Sequence, residues 1–286
     1  MPPLLSSGLR FAVAGAALGA WLLIRRGRGA LRMNRRELLG AAIVGVLLML
    51  GGNGLVSVGE NAGVPSGLAA LLIASEPMWV IVLRFVFRDR VPRGTLVGVI
   101  VGFLGVAVLL LPGAPTGATA IGIATVLFAA AMWATGSFTM TRMPTPADPL
   151  ASTAAQMFCG GAVMFAVGLV AGEAGQVHFS QFSTDSVLGF AYLVVVGSLV
   201  AFSAYTWLLR NVPISKVSTY AYVNPVIAVA LGWAVYGESL SAIALAGAAI
   251  IVASVAAIVR LEGEAVEREE PPAPALVAQQ ARDPAA

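Results

Sequence analysis

Val64-Pro65-Ser66-Gly67-Leu68-Ala69-Ala70-Leu71-Leu72-Ile73-Ala74-Ser75-Glu76-Pro77 and Val212-Pro213-Ile214-Ser215-Lys216-Val217-Ser218-Thr219-Tyr220-Ala221-Tyr222-Val223-Asn224-Pro225 share one layout. A proline stands second in each stretch, and a polar residue followed by a second proline closes it. Pro213 stands 148 positions after Pro65, and Pro225 stands 148 after Pro77. The loops that follow carry charge at the same spacing, Arg90 and Glu238, and a helix rich in small residues comes next. Proline is common in membrane helices, so a single match could be coincidence. Agreement of two prolines, a charged loop and a following helix argues for an internal repeat.

The solvent of this repeat is lipid. The chain has 286 residues, 58% of them hydrophobic and 11% charged. Soluble domains carry about 25% charged residues, because their surface faces water. A membrane helix needs about 20 mostly apolar residues to cross about 30 Å of hydrocarbon. Nine such segments are expected, near 5–24, 38–58, 65–87, 94–111, 118–140, 149–170, 187–208, 215–236 and 240–259. Turn signals separate them, among them Pro112-Gly113-Ala114-Pro115 and Pro144-Thr145-Pro146. The first segment does not fit a signal peptide: no basic residue precedes it, Arg10 interrupts it, and the arginine cluster follows it.

The arginines set the orientation, because basic loops stay on the cytoplasmic side. Arg25, Arg26, Arg28, Arg32, Arg35 and Arg36 fill the first loop, and Arg88, Arg90 and Arg93 the third. Arg142 lies in the fifth, Arg210 and Lys216 flank the seventh, and Arg260 follows the last helix. The loops between hold only acidic charge, at Glu60, Glu173, Asp185 and Glu238. This alternation supports the helix count and places the C-terminus in the cytoplasm.

The two proline segments therefore cross the bilayer in opposite directions, which makes the repeats inverted, as in many transporters. Inversion requires an odd number of helices per repeat. The second repeat, 113–260, supplies five, whereas the first, 1–112, supplies four. The partner of 118–140 is expected ahead of Met1, so the sequence is expected to lack a first helix. Residues 261–286 are acidic, then rich in Pro and Ala, and are expected to form a disordered cytoplasmic tail.

Several motifs resemble the EamA-type branch of the drug/metabolite transporter superfamily, in its YedA-like form. They are Gly52-Asn53-Gly54, Glu60, Val64-Pro65-Ser66-Gly67, Gly197-Ser198, Trp207-Leu208-Leu209-Arg210-Asn211-Val212 and Tyr220-Ala221-Tyr222-Val223-Asn224-Pro225-Val226. The resemblance covers the chain to about residue 260. It implies an all-α integral membrane bundle of ten helices in two inverted repeats of five, against nine counted here. It also implies export of small metabolites or drugs, amino acids and their analogues among them, across a bacterial inner membrane. Substrate, coupling ion and direction do not follow from it.

Glu76 is the foremost candidate for chemistry. It lies about 16 Å along the helix from Pro65, near the midplane. A carboxylate there costs roughly 2.5 kcal/mol or more. A carboxyl that binds and releases a proton near neutral pH is a usual means of proton coupling. The structural alternative is a protonated, hydrogen-bonded Glu76, or one paired with Arg84 about 12 Å further along. Relatives of this type more often place an apolar or small residue before this proline.

Asn224, the counterpart in the repeat, and Tyr220, one turn earlier on the same face, are expected to line a site or to join helices through hydrogen bonds. Tyr222 lies between them on another face. Pro77 and Pro225 free backbone carbonyls at mid-depth and are hinge candidates. Trp79, Trp133, Tyr205 and Trp207 could stack on a substrate ring; Trp79 and Trp133 are the deeper candidates, whereas Trp21 and Trp207 suit interfacial anchors. Asn53 and Gln156 are polar groups inside apolar helices and candidates for cavity lining. Glu60 and Arg10 could pair or meet substrate, with a salt bridge or snorkelling as the structural role of Arg10. Gly15-x-x-x-Gly19 and Gly98-x-x-x-Gly102 permit close helix approach.

One histidine (His178) and one cysteine (Cys159) leave no metal cluster and no intrachain disulfide. A membrane enzyme would need a cluster of carboxylates, histidines or a nucleophile with its base, and none is present, so no enzymatic activity is expected. Nothing matches a phosphate-binding Gly-x-x-x-x-Gly-Lys-Ser/Thr loop. No cofactor, nucleotide or nucleic-acid partner is expected; the partners are a small-molecule substrate and the bilayer, and the oligomeric state is open. The competing expectation is a truncated, transport-inactive or structural membrane protein.

Overall fold

The computed structural model describes residues 2–109, 118–177, 182–221, 223, 224, 227 and 242–269. Every element among them is helical. Five helices are long and apolar enough to cross a membrane: Pro3–Arg26, Arg35–Asn61, Ala120–Met140, Pro149–Val170 and Thr184–Asn211. Pro3–Arg26 (α1), Ala120–Met140 (α7) and Pro149–Val170 (α8) are continuous. The second span comprises Arg35–Gly45 (α2), a π-helical stretch over Val46–Gly54, and Leu55–Asn61 (α3). The fifth has the same construction: Thr184–Tyr192 (α9), a π-helical stretch over Leu193–Val200, and Ala201–Asn211 (α10).

The expected segment 65–87 is broken. Ser66–Ile73 (α4) ends before Pro77, and Glu76–Val86 (α5) starts anew with Pro77 in its first turn. Pro77 has no N–H to give to the Ile73 carbonyl, and the Ser75 hydroxyl donates to the neighbouring Leu72 carbonyl at 2.7 Å. Arg93–Leu109 (α6), Ile214–Val217 (α11) and Ala242–Glu269 (α12) complete the described helices. The last continues to Glu269, through the acidic run that follows the apolar segment. Most of the expected segment 215–236, with Tyr222 and Pro225, lies outside the described residues, as do His178 and residues 270–286.

Side-chain caps mark the helix starts. Asn34 and Glu37 form a reciprocal capping box at α2, and Thr119 accepts from Gly122 N–H at α7. Asp148 accepts from the Leu150 and Ala151 N–H groups at 2.8 and 3.0 Å, with Pro149 as the first residue of α8.

Helix α8 is the spine. Its glycines bring backbones together where lipid offers no hydrophobic drive for association. A Cβ on Gly8 would stand 2.5 Å from the Phe165 nitrogen, and one on Gly15 would strike the Phe158 backbone. Position numbers fall on α8 as they rise on α1, so the two helices run antiparallel. Gly19 of the same motif meets only the Leu31 side chain, at 3.7 Å. The other side of α8 meets α2, where Gly160 and Gly45 touch through backbone atoms. At one end of the pair, the buried Glu173 carboxylate accepts from the Leu4 and Leu5 N–H groups at 3.2 and 2.8 Å. At the other, Arg26 pairs with Asp148 at 2.6 Å.

A second antiparallel pair joins α6 and α12. Cβ atoms on Gly94, Gly98 and Gly105 would meet Leu261, Ile258 and Ile251 in turn, and the Ser254 hydroxyl donates to the Gly98 carbonyl at 3.0 Å. The spans are unequally covered: 44% of the apolar window of Arg35–Asn61 is buried, against 11% for Thr184–Asn211. Val195, Val196 and Val200 accordingly present their side chains outward.

Candidate functional site

A cavity of about 540 Å³ lies where the two π-helical stretches, α7 and α10 converge. Gly52 and Asn53 come from the first stretch and Gly197 from the second. The π-helix is rare and tends to occur at functional sites. Here it sets small residues against open space, and Trp133 packs directly on Gly52.

Tyr205 is the centre of the wall. Its hydroxyl accepts from the Trp133 indole N–H at 2.9 Å and is hydrogen-bonded to the Ser137 hydroxyl. Its ring lies 5.3 Å from Trp133, 5.5 Å from Tyr220 in an edge-on arrangement, and 6.2 Å from Phe202. These separations suit favourable aromatic pairing. Phe11 of α1 closes another side. Trp133 and Ser137 are four residues apart and share one face of α7, which is why both reach one hydroxyl.

Of the candidates from sequence, Asn53, Trp133, Tyr220 and Asn224 line this cavity. Glu76 is fully buried and is not itself part of the lining. Both of its carboxyl oxygens lack a partner at hydrogen-bond geometry among the described residues, although Tyr205 and Tyr220 are near enough to interact with it electrostatically. Arg84 donates instead to the Ser215 hydroxyl and the Arg90 carbonyl, so the ion pair with Glu76 left open by the sequence is not formed. Pro77 is buried beside Glu76 at the helix break.

The remaining candidates sit elsewhere. The Trp79 indole N–H is buried without a hydrogen-bond partner among the described residues. Gln156 is buried against Ser152, to whose hydroxyl it donates at 2.9 Å, and serves the α8 packing. Arg10 stacks its guanidinium 4.2 Å from the Phe11 ring centroid, while Glu60 is exposed near the end of α3. No ion pair joins these two among the described residues. Trp21 and Trp207 are about half exposed, as interfacial anchors would be.

Tyr205, which the sequence offered as a ring able to stack on substrate, forms the wall with Ser137, Phe202 and Phe11, which were not among the candidates. The four-residue spacing of Trp133 and Ser137 is the one local signal for Ser137. The meeting of α7 with α10 depends on tertiary packing.

At the arginine-rich end, three contacts fasten the loops. Arg142 pairs with Asp89 and stacks on Phe138 at 4.3 Å. Arg210 donates to the Ala147 and Pro146 carbonyls at 2.9 and 2.7 Å, and Arg26 holds Asp148. No group of three or more His, Cys, Asp or Glu suited to a metal occurs among the described residues.

This geometry has relatives. The EamA-like transporter family model matches residues 1–111 and again 120–260. The chain belongs to that family. The uncharacterized inner membrane transporter YedA of Escherichia coli (strain K12) is 36% identical over 89% of this chain and 80% of its own length. A probable amino-acid metabolite efflux pump of Salmonella typhimurium is 28% identical, covering 88% of this chain and 84% of the pump. The uncharacterized transporter YvbV of Bacillus subtilis is 26% identical over 89% and 81%. A solved structure, described as "Crystal structure of protein", superposes with a TM-score of 0.71 over 93% of this chain and 90% of its own, at 18% identity. That likeness shows the fold. This is an all-helical, multi-pass membrane protein of a transporter family.

Proposed function

We propose that this protein is a bacterial inner-membrane carrier that exports a small metabolite, an amino acid or analogue among them, by alternating access of two inverted halves. The observation that carries the reading is the cavity between the π-helical stretches, backed by the broken helix α4–α5. Unwound or discontinuous helix at membrane depth is tolerated where it borders a cavity, and carriers place their binding sites at such breaks.

Four further observations support two halves, at 1–112 and 113–260. The family model matches twice. The prolines recur at a constant spacing. The π-helical stretches fall at nearly the same register, Val46–Gly54 and Leu193–Val200. The helices that correspond under that spacing, α1 with α8 and α6 with α12, pack antiparallel, as inverted copies would. The names of the E. coli and S. typhimurium relatives agree with inner-membrane location and export. Within the halves, Asn53, Trp133, Tyr220 and Asn224 contact substrate, Tyr222 is a further candidate from the same repeat segment, and Glu76 serves coupling. Pro77 and Pro225 act as hinges.

Counterflow in proteoliposomes tests the carrier. Vesicles loaded with unlabelled amino acids and aromatic amines should accumulate at least one labelled counterpart above protein-free vesicles, with saturation. No accumulation across the panel would exclude carriage of these classes. For orientation, single cysteines at Arg28 and Glu60 in a Cys159→Ser background should react differently with an impermeant maleimide on intact spheroplasts. Glu60 should label and Arg28 should not; the reverse pattern would overturn the cytoplasmic placement of the C-terminus.

A further inference from the structure

We propose that the cavity selects substrates carrying a protonated amine on an apolar body, held by the aromatic wall and by Glu76. This rests on the carrier reading and names its substrate class.

The described lining is aromatic, aliphatic and amide, and none of its side chains bears a charge. Trp133, Tyr205, Tyr220, Phe202 and Phe11 offer ring faces and edges, and ring faces attract cations. The Tyr205 hydroxyl is already engaged by Trp133 and Ser137, which fixes the ring as a wall and leaves its π surface for the ligand. An anionic substrate would meet no counter-charge among these residues and would face the negative side of the rings. Such a substrate is excluded by repulsion as well as by desolvation.

A neutral apolar substrate would be accepted by the rings but would leave Glu76 unused. That carboxyl is fully buried, and no described residue meets its oxygens at full hydrogen-bond geometry, the Tyr220 hydroxyl being the polar group nearby. A buried carboxyl in that position is satisfied either by a proton of its own or by a cation. Tyr205 and Tyr220 line the cavity and both interact electrostatically with Glu76. An ammonium group seated at the tyrosines therefore takes the place of the proton on Glu76, which leaves to water. When the ammonium departs, the carboxyl takes a proton back. One proton is exchanged per cation, and charge balances at each stage. Asn53 and Asn224, one from each repeat, are the amides that would orient a further polar group of the ligand. A cavity of about 540 Å³ lies within the size range of small-molecule sites.

Equilibrium binding to the full chain in detergent tests this without requiring transport. Tryptophan fluorescence is titrated with 2-phenylethylamine, 2-phenylethanol and phenylacetate, which share a ring and differ in charge. The amine should bind at least about tenfold more tightly than the alcohol, with the acid weakest. In Glu76→Gln, nearly isosteric with the native residue, the preference for amine over alcohol should shrink to under about threefold. Equal binding of amine and alcohol by the native chain, tightest binding of the acid, or no binding of any probe would each overturn the assignment. An unaltered preference in Glu76→Gln would remove Glu76 from it. Failure of counterflow with charge-selective binding intact would instead count against carriage alone.

Discussion

Gly161→Leu should leave little folded protein. A Cβ at this position would stand 2.8 Å from the Gly8 carbonyl oxygen and press on the Ala12 nitrogen, both backbone atoms of α1. Backbone cannot turn aside as a side chain can, so α1 and α8 would have to separate along their length. Overpacking against yielding side chains costs about 1–3 kcal/mol, and this site should exceed that range. Thermal unfolding in detergent, followed by size-exclusion of the heated sample, gives the measure. Gly189→Leu is the control, because no described residue lies within 4 Å of a Cβ there. It should unfold within a few degrees of the native chain. Equal behaviour of the two variants would show that the glycine seam is not what holds the bundle.

Trp133→Ala should abolish ligand binding and lower stability together. The ring packs on Gly52 and against Tyr205, and its N–H donates to the Tyr205 hydroxyl. Truncation removes a large packed side chain, at about 3–5 kcal/mol for a buried tryptophan and toward the lower end for this partly buried one. It also takes one partner from Tyr205. Trp133→Phe separates the effects, because it keeps a ring and loses only the donor. That variant should cost about 1 kcal/mol and bind within about threefold of the native chain. If Trp133→Ala still bound the amine probe with native affinity, the aromatic wall would not be the binding surface.

Much of the bundle was legible in the sequence because lipid imposes a harsh rule on composition. Runs of apolar residues between arginine-bearing loops leave few alternatives; the caps at Thr119, Asp148 and Ser183 are a finding of the structure. The break before Pro77 follows from the missing N–H. What escaped were meetings between distant parts. Glu173 reads as an outer-loop acid, and nothing local shows that it caps α1, which is 168 positions away. Gln156 and Asn53 are both polar groups in apolar helices, yet one serves packing and the other the cavity, because orientation about a helix axis depends on its neighbours. The π-helical stretches escaped for a related reason. Their glycines permit a wider turn, but packing decides whether it forms.

The two fastenings of α1 to α8 differ in strength. Glu173 is buried and accepts two backbone hydrogen bonds, each worth about 1.5–3 kcal/mol for a charged acceptor. Arg26 and Asp148 are 49% and 35% exposed, and such a surface pair contributes about 0–1 kcal/mol and weakens with salt. The helices are thus riveted at one mouth and merely latched at the other. Any parting of this pair during a working cycle starts at the arginine-rich mouth, and ionic strength on that side of the membrane sets how readily the latch gives way.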